Sequence, residues 1–325
     1  MNNRVFGKTG AVVGEVGQGC WQLGGDWGTV EEETAFRILE TAVEAGVNFW
    51  DTANVYGGGR SETLIGRFRK AHPAQVFVAT KLGRGAIYPN GYTRAAVRQA
   101  TEQSLRRLGV EALDLTQLHC IPMAALQQGD VFDWLRELKQ EGKIHNWGAS
   151  VESMDEALVC LKQEGLASLQ IIFNIFRQKP IQALFPQAKA KGVAIIARVP
   201  LASGLLSGKF TAGTRFAESD HRNYNRDGEA FNVGETFAGL PFEKGVELAD
   251  GLRPLVPPGL SMAQMALRWI LDHDAVSVII PGASRPDQVR SNAAASALAP
   301  LGEALYAKLR SYYQEKVHSF IRGPY

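Results

Sequence analysis

Short β-branched apolar runs alternate with longer amphipathic segments along most of the chain. Val16–Gly19, Val47–Trp50, Val76–Thr80 and Leu113–Leu118 read as strands, as do Ile144–Ala149, Leu169–Phe173, Val193–Ala197 and Val276–Ile280. Between them the apolar positions change to helical spacing. Thr29-x-x-Glu32 has the form of a capping box, and the helix it opens is expected to bury Ala35, Leu39, Ala42, Val43 and Gly46. Ser61 begins a helix with Leu64, Ile65 and Phe68. Thr93 caps another with Val97, Leu105 and Leu108, which ends near Gly109. Further helices are expected over Phe132–Gln140, Met154–Lys162, Pro180–Ala190, Met262–Leu271 and Pro286–Ala297.

Strands that alternate with helices pair in parallel through crossovers. Repeated over 325 residues, the pattern predicts a single α/β domain, a (β/α)₈ TIM barrel spanning residues 1–325. An open doubly wound sheet is the alternative. Two segments lie outside the repeat. Near the start, Gly7-Lys8-Thr9-Gly10 separates short apolar runs, which suggests a hairpin closing the barrel bottom. Residues 211–236 are polar, aperiodic and too long for an idle connection, so they are expected to form a lid over a bound cofactor. The last helix and Ile321–Tyr325 form a C-terminal helical tail that could cover the site or touch a neighbour.

Composition narrows the class. Hydrophobic residues make up 45% and charged residues 21%, as in soluble globular proteins. A net charge of +2 argues against nucleic-acid or anionic-membrane partners. No apolar run is long enough to span a bilayer, and no signal-peptide core follows Met1. Cys20, Cys120 and Cys160 have neither metal-site spacing nor an even count, which fits a reduced, cytoplasmic setting. The histidines are scattered, and no G-x-G-x-x-G follows the first strand. Oligomeric state is left open.

A barrel of this kind places its chemistry where strands end. The predicted strand ends bring Asp51, Lys81 and His119 to one rim, with Tyr56 just beyond Asp51. Together they can deliver a proton to a carbonyl. Tyr56 holds the proton, and the Lys81 ammonium is expected to lower its pKa. Asp51 fixes Lys81 and balances its charge. His119 can hydrogen-bond the oxygen on which negative charge develops. Trp21, Trp27, Tyr56 and Tyr88 are candidates for an aromatic pocket wall.

These residues carry a resemblance. Asp51-Thr52-Ala53-Asn54-Val55-Tyr56-Gly57, then Ala79-Thr80-Lys81, then Leu118-His119, resemble the catalytic motifs of the aldo-keto reductases. Arg4–Gly10 and Gly17–Trp21 look like the bacterial branch that includes general-stress and inositol-utilisation reductases. The resemblance implies NADPH/NADP⁺ and hydride transfer to a small aldehyde or ketone. Alternatives are an NAD(P)-dependent sugar or cyclitol alcohol dehydrogenase, or a redox-sensing regulatory subunit. It also implies that Ser150 and Gln170 lie at the nicotinamide and that Trp21 is a cofactor-binding residue. Pro200, Leu201, Ser203, Gly204, Leu205 and Lys209 match the loop over the pyrophosphate. Gly282, Ser284, Arg285, Gln288 and Asn292 match the adenosine-phosphate region, where Ser284-x-x-Asp287 also reads as a helix cap. Many relatives have lysine at the position of Gly282 and arginine at that of Gln288. Arg198 stands where the family often stacks an aromatic ring, and it can either stack its guanidinium plane or form a salt bridge across the rim.

Overall fold

The computed structural model describes residues 1–25 and 27–325. The chain opens with an antiparallel hairpin, β1 (Asn3–Val5) and β2 (Val12–Gly14). Eight parallel strands follow: β3 (Gln18–Gly19), β4 (Phe49–Asp51), β5 (Phe77–Leu82), β6 (Leu113–His119), β7 (Ile144–Ser150), β8 (Ser168–Ile172), β9 (Ala194–Arg198) and β10 (Val276–Ile279). Each pairs with the next in sequence order. The cylinder closes between the last strand and the first. There Gly17 N–H donates to Ile279 O (2.8 Å), Ile279 N–H to Glu15 O (3.0 Å) and Gly19 N–H to Pro281 O (3.0 Å). The chain therefore forms the expected (β/α)₈ barrel and not an open sheet.

Two apolar cores hold it. The larger lies between strands and outer helices. The smaller fills the cylinder with Phe49, Ala79, Leu115, Ile196 and Val278. Phe6, from the hairpin, plugs its lower end with ring centroids 5.4 Å from Phe49 and 5.3 Å from Phe77. Burying such a ring is worth about 2–3 kcal/mol. With that end sealed, only the C-terminal ends of the strands are open for a site.

Several boundaries differ from the sequence reading, for physical reasons. Thr29 caps nothing: the first long helix runs Glu32–Glu44 with Glu31 at its N-cap and no side-chain cap. Val43 is 39% exposed, and Gly46 lies past the helix end. The buried face instead uses Ile38 and Thr41. The 180–190 helix divides at Leu184 into Pro180–Ala183 and Phe185–Ala190, because Pro186 has no N–H to continue the ladder. The 286–297 helix keeps α geometry to Ala294 and tightens to a 3₁₀ turn over Ala295–Ala297. Among the described residues, three α-helices are not anticipated by the sequence reading: Met123–Gln128, the single turn His221–Tyr224 and Phe242–Leu252. Among the described residues, no helix is long and apolar enough to cross a membrane.

Candidate active site

Three adjacent strand ends and the turn after the first of them build the site. Asp51 closes β4, Lys81 lies one residue before the end of β5 and His119 closes β6. Tyr56 follows in a turn whose shape depends on glycine. Gly57 has φ +59°, and a Cβ there would lie 2.3 Å from the Gly24 carbonyl oxygen. Beneath this turn, Thr52 donates to Ser61 (2.8 Å), whose hydroxyl donates to Cys20 O (2.9 Å). The loop is thus tied to the first strand as well as to its own.

Lys81 is buried and donates to Asp51 Oδ1 at 2.5 Å, Thr52 O at 2.7 Å and Tyr56 OH at 3.2 Å. Burial works against its charge, but Asp51 and then Tyr56 outweigh it, and its pKa stands above that of an ordinary lysine. Asp51 Oδ2 accepts from Gln170 Nε2 (2.7 Å) and Gln117 Nε2 (3.5 Å), so the carboxylate is locked on both sides. Ser150 in turn donates to Gln170 Oε1 at 3.4 Å.

The expected lowering of the Tyr56 pKa does not occur. Burial removes water from the phenolate and pushes the pKa up to about 12, against the opposing pull of Lys81. The ammonium is already neutralised by Asp51, so desolvation wins. His119 lies edge-on to Tyr56, ring centroids 5.9 Å apart. Burial, reinforced by Arg84, Lys81 and Arg198, holds its pKa well below the ordinary histidine value. It is a neutral imidazole at neutral pH. Its Nδ1 has no hydrogen-bond partner among the described residues.

Asp51, Tyr56 and His119 open into a cavity of about 660 Å³, with Lys81 buried behind them, and it runs past Pro200–Ser203 to Ser284 and Arg285. Trp21, Trp27, Tyr224 and Phe231 line its aromatic part. Tyr88 is outside it and 47% exposed.

The Aldo/keto reductase family model matches residues 15–314. The chain belongs to the aldo/keto reductase family. It is an oxidoreductase of carbonyl and alcohol groups. It is 29% identical over 334 aligned residues to the "Uncharacterized oxidoreductase YqkF" of Bacillus subtilis, covering 99% of this chain and 100% of that protein. The holo structure of aldo-keto reductase AKR11C1 from Bacillus halodurans is 27% identical, with a TM-score of 0.77, covering 99% of this chain and 98% of that one. The glycerol dehydrogenase AKR11B4 from Gluconobacter oxydans is 29% identical, with a TM-score of 0.78, covering 97% of this chain and 95% of that one.

The reductase brings most of the remaining expected residues to the same cavity. Trp21, Ser150, Gln170, Arg198, Pro200, Leu201, Ser203, Gly204, Lys209, Gly282, Ser284, Arg285 and Gln288 all line it. Leu205 does not. Its side chain turns into the core against Gly245. Asn292 is set back too, donating to Gly282 O at 3.3 Å and so holding that turn. Val199, Ala202 and Ser203 have φ near +50°, a strained conformation that costs about 1–3 kcal/mol each and clusters at ligand loops.

Arg198 takes the ion-pair option. It bonds Glu235, and its Nη2 donates to Val151 O at 2.9 Å. Burial opposes the Glu235 charge, but Arg198 and Arg84 hold its pKa below the usual carboxylate value. Arg84 itself donates to Glu152 at 2.6 Å and lies 4.0 Å from Glu235. Cys120, Glu152 and Glu235 bring potential metal-ligand atoms within 4.8 Å of one another, but both carboxylates are engaged by arginines. Arg84 and Glu235 escaped the sequence reading, since they lie in loops without periodicity.

The helix cap at the far end also differs. The helix Pro286–Ala294 has Arg285 at its N-cap. Gln288, not Asp287, reaches back, accepting from Ser284 N–H (2.8 Å), Ser284 Oγ (3.2 Å) and Arg285 N–H (3.2 Å). Asp287 pairs with Arg285 at 3.1 Å.

Proposed function

We propose that this reductase converts a small aldehyde or ketone to the alcohol with NADPH, the proton coming from Tyr56. The observation that carries this reading is buried Lys81, bonded at once to Asp51 (2.5 Å) and Tyr56 (3.2 Å), which line the cavity. NADP(H) is the family's cofactor, and the residues fit it. The cavity is elongated, ends at a helix start beside Arg285, and holds polar atoms on His119 and Arg198 that have no partner among the described residues. Ser150 and Gln170 would hold the nicotinamide, Pro200–Gly204 and Lys209 the pyrophosphate, and Ser284 and Arg285 the adenosine phosphate. The bound cofactor supplies the hydride.

The protein's own part is proton handling and exclusion of water. Tyr56 keeps its proton through neutral pH because burial disfavours the phenolate. Lys81 stabilises the phenolate as the proton leaves. Asp51, locked by Gln170 and Gln117, keeps Lys81 in place. Neutral His119 donates a hydrogen bond to the substrate oxygen. Residues 211–236 act as a lid: Phe231 and Glu235 line the cavity, and Asn232 donates to Glu152 at 2.8 Å.

The likeness to a glycerol dehydrogenase supports a second reading, the same chemistry in the oxidative direction on a sugar or cyclitol alcohol. A panel of aldehydes, ketones, sugars and polyols with both nicotinamide cofactors, followed at the reduced-nicotinamide absorbance, separates the two. No turnover of any carbonyl with NADPH, alongside turnover of polyols, would reverse the assignment.

A further inference from the structure

Gln22 sits in the 3₁₀ turn Trp21–Gly24 that follows β3, and its side chain lines the cofactor cavity. It is only 8% exposed, yet its amide oxygen has no hydrogen-bond partner among the described residues. Leaving a buried acceptor unpaired is costly, so such a group points to something it meets in another state. Across the barrel seam stands Gly282, whose backbone pairs with Gly19. A Cβ on Gly282 would lie 2.1 Å from Gln22 Nε2, 2.2 Å from Oε1 and 2.4 Å from Cδ. Residue 282 is glycine because the Gln22 amide occupies the space its side chain would take.

Resting on the nicotinamide-dinucleotide reading above, we propose that Gln22 is a cofactor-binding residue whose amide oxygen accepts a hydrogen bond from a hydroxyl of the dinucleotide's ribose. Phosphate oxygens only accept at neutral pH, so they cannot satisfy this atom, whereas a ribose hydroxyl donates. The amide is neutral. The adenosine 2′-hydroxyl is excluded, since it is phosphorylated in NADPH; at any other ribose hydroxyl the contact treats NADPH and NADH alike, unlike one from Arg285. Gly282 is the space-maker that lets the amide reach the groove.

The test is cofactor titration by calorimetry, with thermal melting of the cofactor-free protein, for wild type, Gln22→Met, Gly282→Ala and the double variant. Gln22→Met should weaken both cofactors by about five- to tenfold, as for a lost neutral hydrogen bond. It should leave the cofactor-free melting temperature unchanged or higher, since it removes an unpaired acceptor. Gly282→Ala should weaken binding by displacing the amide, and its effect should shrink in the Gln22→Met background. Unchanged affinity in Gln22→Met would overturn the proposal, as would a loss confined to NADPH. A lower cofactor-free melting temperature with unchanged affinity would mark Gln22 as purely structural. Failure of the wild type to bind either dinucleotide would instead refute the functional reading on which the proposal rests.

Discussion

Arg198 and Glu235 form a buried ion pair that joins the end of β9 to the 211–236 segment. The pair lies on the same rim as His119 and Tyr56, where Arg198 also bonds Val151 O. Breaking a buried pair from one side strands an uncompensated charge and costs about 3–5 kcal/mol, whereas replacing both partners costs much less. Glu235→Leu should therefore lower the melting temperature markedly, and Arg198→Met with Glu235→Leu should recover part of the loss. Melting curves for the two single variants and the double variant measure the coupling. Additive losses would mean the two residues act independently.

Tyr56→Phe keeps the ring that faces His119 and removes only the hydroxyl that Lys81 contacts. Carbonyl reduction should fall by at least about a hundredfold, the low end for loss of a general acid. Cofactor binding should persist, because Ser150, Gln170 and the 200–209 loop are untouched. Steady-state rates paired with a cofactor titration check both halves. A variant that turns over like wild type would remove Tyr56 from the chemistry.

The pKa of Tyr56 sets different pH dependences for the two directions. Reduction uses the phenol, which is the populated form below about 12. The forward rate should show no loss from this group between neutral and moderately alkaline pH. Alcohol oxidation uses the phenolate, a minor form at neutral pH, so its rate should climb by about tenfold per pH unit in that range. His119 adds no limb near neutrality, since its pKa lies well below the histidine range. Initial rates in both directions across that span test the assignment. An oxidation rate independent of pH would show that proton removal by Tyr56 does not limit it.

The barrel and the four central groups were legible because strand period and strand ends are local properties. Asp51, Lys81 and His119 each close or nearly close an apolar run, and parallel pairing then aligns them. Other features depend on what meets in space. Val43 continues the apolar spacing of its helix, but that helix offers the barrel a narrower face than the spacing suggests. The helix Phe242–Leu252 was hidden by Gly245 and Gly251. Gly245 is needed because a Cβ there would lie 2.5 Å from Leu205 Cδ1. Glu235 pairs with Arg198 across 37 residues, a separation with no periodic signal. The sign of the Tyr56 shift was misread because charge is visible in sequence while burial is not. Desolvation proved the larger effect.

At the far end of the cavity, Arg285 is the cation best placed for a 2′-phosphate. It lines the groove, stands at the N-cap of the helix Pro286–Ala294, and is 59% exposed at its side chain. In the free protein it leans on Asp287 at 3.1 Å, a solvent-exposed pair that holds it only weakly, so a phosphate dianion can compete for it. Ser284 N–H and Oγ and Arg285 N–H are already engaged by Gln288, which leaves the guanidinium as the main source of discrimination. Arg285→Ala should therefore weaken NADPH by about five- to tenfold, as expected for one partly solvated charge-assisted contact, and change NADH little. Asp287→Asn, which releases the guanidinium from its partner, should tighten NADPH and not NADH. Dissociation constants for both cofactors in wild type and the two variants decide the matter. Equal losses for NADPH and NADH in Arg285→Ala would place the 2′-phosphate elsewhere in the groove, with Lys209 the next cation to test.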